Sequence, residues 1–314
     1  MQRRTFINHA SSALAGAGAT ALGGANAREK EQRNPTFVFV HGAWHGAWCW
    51  AEVVRRLGKK GFSAIALDMP GHGLAARFPA AYASQDAAAL ATEVSPLAGL
   101  STNDYRDYVL EVLRGLVAAG SGPIILVGHS LGGATLTAVA EADPRLIGRL
   151  VYVSAFVPVK RPAPVNYASL PSFAGSQLGS LLAGDPHVVA CMRINFNTTN
   201  PAKAAAIKEA LCADLSDAEF SAVANLLTPD EPIGAFATPV NPTAAKWGSV
   251  PRTFIRCTLD RAIPIAGQDQ MIAEADEFTS PNKFVKETLD TSHSPHFSVP
   301  EALVSLLAKA AVVR

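Results

Sequence analysis

The feature that most narrows what this chain can fold into lies at residues 123–133. Pro123 to Val127 (PIILV) is a short apolar run that reads as a buried strand. It leads directly into Gly128-His129-Ser130-Leu131-Gly132-Gly133, and residues 131–142 then carry helical spacing. A strand that passes straight into a helix must turn within a few residues. The glycines two before and two after Ser130 permit that turn. The turn lifts the Ser130 hydroxyl above the end of a sheet. It also aims the Leu131 N–H, at the helix N-terminus, at negative charge forming beside that hydroxyl.

The rest of the chain supplies a scaffold of the same kind. Thr36 to Val40 (TFVFV), Ser63 to Leu67 and Leu150 to Val153 are short apolar runs, as are Val250 to Cys257 and Lys283 to Leu289. Helical spacing separates them at Trp50 to Lys60, after an N-cap at Ser101 or Thr102, and at Pro300 to Val313. The succession predicts an α/β fold, a mostly parallel sheet flanked by helices on both faces. From Pro158 to Trp247 the pattern changes to Pro, Asn, Ser and Ala with short helical stretches and no convincing strand. The expected organisation is a core from 28–157 and 248–314, with a helical cap inserted at 158–247.

The first 27 residues read as an address. Gln2 to Ile7 (QRRTFI) resembles a bacterial twin-arginine export signal, and Ala25-Asn26-Ala27 is a small-x-small cleavage site. The expectation is a periplasmic or secreted protein starting near Arg28, in a compartment that permits disulfides. Of the four cysteines, Cys49 and Cys257 sit in apolar runs and read as core thiols. Cys191 and Cys212 share one helical-looking region and stand as a candidate disulfide; the spacing fits no zinc pattern. With 27 basic and 26 acidic residues, the balance argues against a nucleic-acid partner, and no apolar run is long enough to span a membrane. No lipid-anchor cysteine adjoins the cleavage site, so no membrane anchor is expected.

An activated serine needs a base, and the base needs an acid to orient it. The architecture demands the order serine, acid, histidine. Only His187, His293 and His296 follow Ser130, and His187 falls in the inserted segment. His293 stands in the loop directly after the last strand, which makes it the base. His296 is then expected to face the cap or the substrate. Asp260, in the loop after Val250 to Cys257, is the acid; Asp290 is too close in sequence to reach the His293 ring. An acid one strand earlier is excluded because that position offers Ser154. The second backbone donor must come from the loop after the first strand, His41-Gly42-Ala43-Trp44. Ala43 N–H is the choice, with His41 a structural hydrogen-bonding residue. For His45, Trp44, Trp48 and Trp50, lining a pocket mouth and plain packing are both open.

These segments resemble the α/β-hydrolase superfamily, in particular its branch of plant methylesterases and hydroxynitrile lyases. The resemblance is carried by FVFVHGAWHGAWCW at 37–50, LDMPGHG at 67–73 and LVGHSLGG at 126–133. VPRTFIRCTLDRAIP at 250–264 and SHSPHFSVP at 292–300 complete it. It implies nucleophile Ser130, base His293, acid Asp260 and oxyanion donors Ala43 and Leu131. Lyases of this branch carry threonine after the first histidine and lysine after the catalytic one. Gly42 and Ser294 stand there instead, which disfavours lyase chemistry. The expected reaction is acyl transfer from a small or medium-sized ester to water, with no cofactor and no metal. An amidase, lactonase or carbamate hydrolase would use the same triad, and a ligand-binding receptor could keep it without turnover. Phe173, Leu178, Leu181, Leu182, Met192, Phe196, Leu226 and Phe236 are candidates for an apolar pocket or for helical packing.

Overall fold

The computed structural model describes residues 34–312; the expected export signal lies outside them. Eight strands occur among the described residues: β1 (Thr36–Val40), β2 (Ser63–Leu67), β3 (Ile124–Ser130), β4 (Arg149–Ala155), β5 (Cys191–Arg193), β6 (Asp230–Pro232), β7 (Arg252–Cys257) and β8 (Val285–Leu289). Six form one sheet in the order β2-β1-β3-β4-β7-β8, with every neighbouring pair parallel. The longer helices are α1 (Ala51–Lys59), α2 (Thr102–Ala118), α3 (Gly132–Ala142), α4 (Pro201–Leu211), α5 (Asp217–Ala224), α6 (Ile265–Phe278) and α7 (Pro300–Val312).

The central strands are buried on both faces, so they read as continuous apolar runs. Their side chains still alternate between two cores. Val38, Val40, Leu126 and Tyr152 join α2, α3 and α6 on one face. Phe37, Phe39, Val127 and Val153 join α1 and α7 on the other. At the start of α2, Asp104 accepts hydrogen bonds from the Ser101 N–H and hydroxyl, so Ser101 is the cap.

The chain steps from β1 outward to β2, then returns to place β3 on the other side of β1. This reversal opens a crevice beyond the C-terminal ends of β1 and β3, where open α/β sheets bind ligands.

The segment between β4 and β7 departs from the sequence reading in two ways. It contains strands: β5 and β6 pair antiparallel, with Met192 opposite Glu231. It also has no disulfide, since all four cysteines are free and buried. Cys191 lies on β5 and interacts with Ser95 and Asp230, whereas Cys212 ends α4 and meets Ser294. The two thiols thus have different neighbours. Burial pushes both up to about 12, leaving them protonated.

Candidate active site

Ser130 occupies the turn between β3 and α3 with φ +53°, a left-handed conformation that a non-glycine residue adopts only where its surroundings impose it. The imposing contacts are close backbone approaches. A Cβ on Gly132 would meet the carbonyl oxygens of His41 and Val40 at 2.7 and 2.9 Å, so glycine lets the start of α3 close onto the end of β1. A Cβ on Gly42 would lie 2.8 Å from both Ser130 Cβ and His129 Nδ1. The loop after β1 therefore runs directly against the serine.

One peptide in that loop has a fixed orientation. His41 Nδ1 lies 2.8 Å from the Gly42 carbonyl oxygen, while His41 Nε2 accepts the Met69 N–H at 3.0 Å. Both ring nitrogens thus serve backbone partners, and burial lowers the pKa well below the usual histidine value. Because the peptide is planar and trans, the Ala43 N–H points opposite to the Gly42 carbonyl that His41 holds. These bonds leave the Ala43 N–H untaken.

Asp260 and His293 meet. His293 Nδ1 lies 2.7 Å from Asp260 Oδ2, with both side chains buried. A carboxylate only accepts, so the Nδ1 proton faces it and Nε2 is left with its lone pair. Asp260 Oδ1 accepts the Ala262 and Ile263 N–H groups at 2.7 and 2.8 Å, and Oδ2 also accepts the Ser154 hydroxyl. Ser154 reaches it through a bulge: Ser130 pairs with Ala155, which leaves Ser154 out of the ladder with φ +40°. The position that lacks an acid thus supplies a donor to the acid. Asp290 instead accepts the Thr258 hydroxyl.

His129, the residue before the serine, connects the two halves of the site. Its Nε2–H donates to the His293 carbonyl at 2.8 Å, and its ring centre lies 4.5 Å from that of His293. His296 packs among the rings of Trp50, His129 and Phe297. It is buried, with its ring 4.9 Å from Trp50 and 4.7 Å from His129. The short helical turn at Pro295–Ser298 directs it into the sheet side that holds α1 and α7. Trp50 belongs to the core on that side.

Two acidic residues that sequence reasoning passed over reach the site from the inserted segment. Asp214 Oδ2 accepts the Thr291 hydroxyl at 2.5 Å and the Ser292 N–H at 2.8 Å, just before His293. Glu231, on β6, accepts the Trp44 N–H at 3.0 Å and the Tyr105 hydroxyl at 2.9 Å, and lies 2.9 Å from His72 Nε2. Burial opposes protonation of His72, but the Glu231 carboxylate outweighs it and raises the pKa.

A cavity of about 320 Å³ adjoins these loops. Phe156, Phe173, Leu178, Met192, Ile233, Phe236 and Ala262 are among its walls. Phe156 follows β4, and its N–H donates to the Ser130 carbonyl. Of the apolar candidates read from sequence, Phe173, Leu178, Met192 and Phe236 line it. Leu181 and Leu182 border a different cavity, Phe196 lines a groove beside α4 and α5, and Leu226 is exposed.

The profile of the alpha/beta hydrolase family matches residues 37–306. The chain is 29% identical over 279 residues to methylesterase 7 of Arabidopsis thaliana, covering 88% of this chain and 95% of that protein. It is also 29% identical over 282 residues to putative methylesterase 11, chloroplastic, of the same plant, covering 88% of this chain but only 63% of that longer protein. The solved structure of a pyrethroid hydrolase from Sphingobium faniae JZ-2 superposes with a TM-score of 0.68 at 24% identity, over 88% of this chain and 97% of that one.

Proposed function

The chain belongs to the alpha/beta hydrolase family, and from that premise we propose that it is a serine-dependent carboxylic ester hydrolase. The observation that carries this reading is the Asp260–His293 pair, whose free Nε2 belongs to the loop that His129 ties to the serine turn.

Ser130 Oγ attacks the ester carbonyl carbon as His293 Nε2 takes its proton. Asp260 keeps the proton on Nδ1 and stabilises the imidazolium. The Ala43 and Leu131 N–H groups receive the tetrahedral oxyanion, each contributing on the order of 3 kcal/mol. Collapse breaks the ester C–O bond, and His293 returns the proton to the departing alcohol. Water, deprotonated by the same nitrogen, then attacks the acyl-enzyme, and the carboxylic acid leaves. No charged side chain is among the walls of the cavity beside Phe156. One half of the ester is therefore apolar and compact, and aromatic or alicyclic groups suit walls of Phe, Met and Leu. The names of the methylesterase relatives support the same reaction class.

The test is hydrolysis of p-nitrophenyl esters from acetate to octanoate. Ser130→Ala is expected to lower kcat by about 10⁴-fold or more with an unchanged melting temperature. Turnover near wild type in that variant would remove the assignment. Export through the twin-arginine route is a separate proposal resting on residues 1–27. Retention in the cytoplasm of cells expressing the full chain would remove it.

A further inference from the structure

The loop carrying Ala43 is gripped from outside the sheet. Trp44 has φ +65°, a conformation that a bulky residue holds only under restraint. All three of its polar groups are restrained by residues 192–231. Its N–H donates to Glu231 Oε2 at 3.0 Å, and its carbonyl accepts the Thr228 N–H at 2.9 Å and hydroxyl at 3.1 Å. Its indole N–H donates to the Met192 carbonyl at 2.7 Å. Met192 and Glu231 are opposite one another in the β5–β6 ladder. One rung of that ladder therefore holds the backbone and the side chain of the same residue. Glu231 is itself immobilised, 1% exposed, between the Tyr105 hydroxyl and His72.

The Trp44 N–H belongs to the peptide that follows Ala43. His41 fixes the peptide before Ala43 through the Gly42 carbonyl. With both flanking peptides fixed, the Ala43 N–H has one direction. The first restraint comes from the loop at the end of β1, and the second comes from a carboxylate on the inserted β6, which grips the N–H end of a peptide whose Ala43 carbonyl accepts from His45 Nδ1 at 2.7 Å. A buried carboxylate accepting a backbone N–H is a strong, directional tether.

We propose that Glu231 is a positioning residue for the reaction, holding the Trp44 N–H so that the Ala43 N–H is aimed at the oxyanion that forms on Ser130. The inference rests on the serine-hydrolase reading above. It makes the inserted segment part of the catalytic geometry as well as a wall of the substrate cavity.

The experiment is endpoint labelling of Ser130 with a fluorophosphonate, followed by kcat and KM for p-nitrophenyl butyrate per labelled site. Glu231→Ala is expected to label fully, with kcat per site down about 10- to 100-fold and KM within about threefold. Glu231→Gln, whose amide oxygen can still accept the Trp44 N–H, recovers most of that kcat. A Glu231→Ala protein whose kcat per labelled site equals wild type, with any loss confined to the number of sites, would overturn the proposal. If Glu231→Ala does not fold, Thr228→Val removes one bond to the Trp44 carbonyl at nearly constant volume. Its kcat per site then falls about threefold or more, and an unchanged value overturns the proposal. Wild-type turnover without labelling, retained in Ser130→Ala, would overturn the serine reading and this inference with it. Loss of turnover in Ser130→Ala beside unchanged Glu231 and Thr228 variants would overturn this inference alone.

Discussion

The ends of β3, β7 and β8 deliver Ser130, Asp260 and His293, whereas the segment between β4 and β7 delivers Asp214 and Glu231 to the loops around them. The sheet works through packing. Its central strands are apolar on both faces, and its turns are shaped by close backbone contact at Gly42 and Gly132. The inserted segment contributes apolar residues to the same core, among them Tyr167, Phe173, Ile194 and Phe236. What it adds is polar. Arg193 and Asp230 form a fully buried ion pair with two contacts, at 2.6 and 2.8 Å, and Arg193 also donates to the Leu90 and Glu93 carbonyls. Packing places a strand end broadly, and directional bonds then set individual peptides.

The largest break in this comparison is expected on the sheet side. Asp260 accepts from His293, Ser154, Ala262 and Ile263 at once. Asp260→Asn introduces an amide that cannot serve all four donors and frees the His293 tautomer. The expected loss in kcat is about 10³- to 10⁴-fold, or roughly 4–5 kcal/mol in the barrier. Ester turnover measures it, and a loss below tenfold would show that Asp260 does not orient the base.

On the inserted side the comparable break is in stability. Asp230→Ala leaves Arg193 charged and buried without its partner, and is expected to cost about 3–5 kcal/mol in urea unfolding. Replacing the pair together, Arg193→Met with Asp230→Leu, should recover most of that loss because both desolvation penalties disappear. A double variant no better than Asp230→Ala would mean that the bonds from Arg193 to Leu90 and Glu93, and not the ion pair, hold this segment.

The same contrast explains what could be read from the amino-acid sequence. The runs TFVFV and SAIAL are strands with the bounds expected of them; TFVFV is buried throughout and reads as continuous apolar sequence, while SAIAL is an edge strand buried only at Leu67. β3 runs on to Ser130, past the expected end at Val127, because the elbow residues stay in the ladder. Asp260 and His293 could be picked by chain order and are in contact. The strands β5 and β6 could not be seen. They are three residues each, and Asp-Glu-Pro in β6 has the composition of a loop. Nothing local marks Glu231, whose partners Trp44, His72 and Tyr105 lie more than a hundred residues away. Ser154 was visible only as a missing acid, since its role depends on a bulge. His296 misled because its spacing from His293 carries no information about which side of the sheet a short helical turn will face.

The sheet side carries its own weakness, in acid. His41, His45, His129 and His296 are buried, and burial lowers the pKa of each, that of His45 to about 4. Below pH 6.5 the unfolded chain binds protons at these positions and the folded chain does not, so stability falls as pH falls. His45 alone removes about 3 kcal/mol between pH 6.5 and 4. The other three add to that loss. His72, raised by Glu231, acts in the opposite sense, gaining stability in acid that is lost as pH rises through its folded value. Four rings against one predict a steep drop in unfolding free energy from pH 7 to pH 5. A flat profile would mean that these rings are protonated or hydrated in the fold.

The smallest effect should separate the two carboxylates of the inserted segment. Glu231 is buried, but Asp214 is exposed, and its bonds to Thr291 and Ser292 compete with water. Desolvation raises the Asp214 pKa, yet the hydrogen bonds from Ser292 and Thr291 hold it below the usual carboxylate value. Asp214→Asn keeps an accepting oxygen toward the Ser292 N–H, so kcat should fall by about threefold or less. Asp214→Ala removes that acceptor and should lower kcat by about tenfold, roughly 1.4 kcal/mol. Because His129 also holds the His293 carbonyl, the loop after β8 has a second support that lies wholly within the sheet. Equal losses at Asp214 and Glu231 would show that burial is not what makes a tether from this segment effective, and would place the control of both loops in the hydrogen bonds alone.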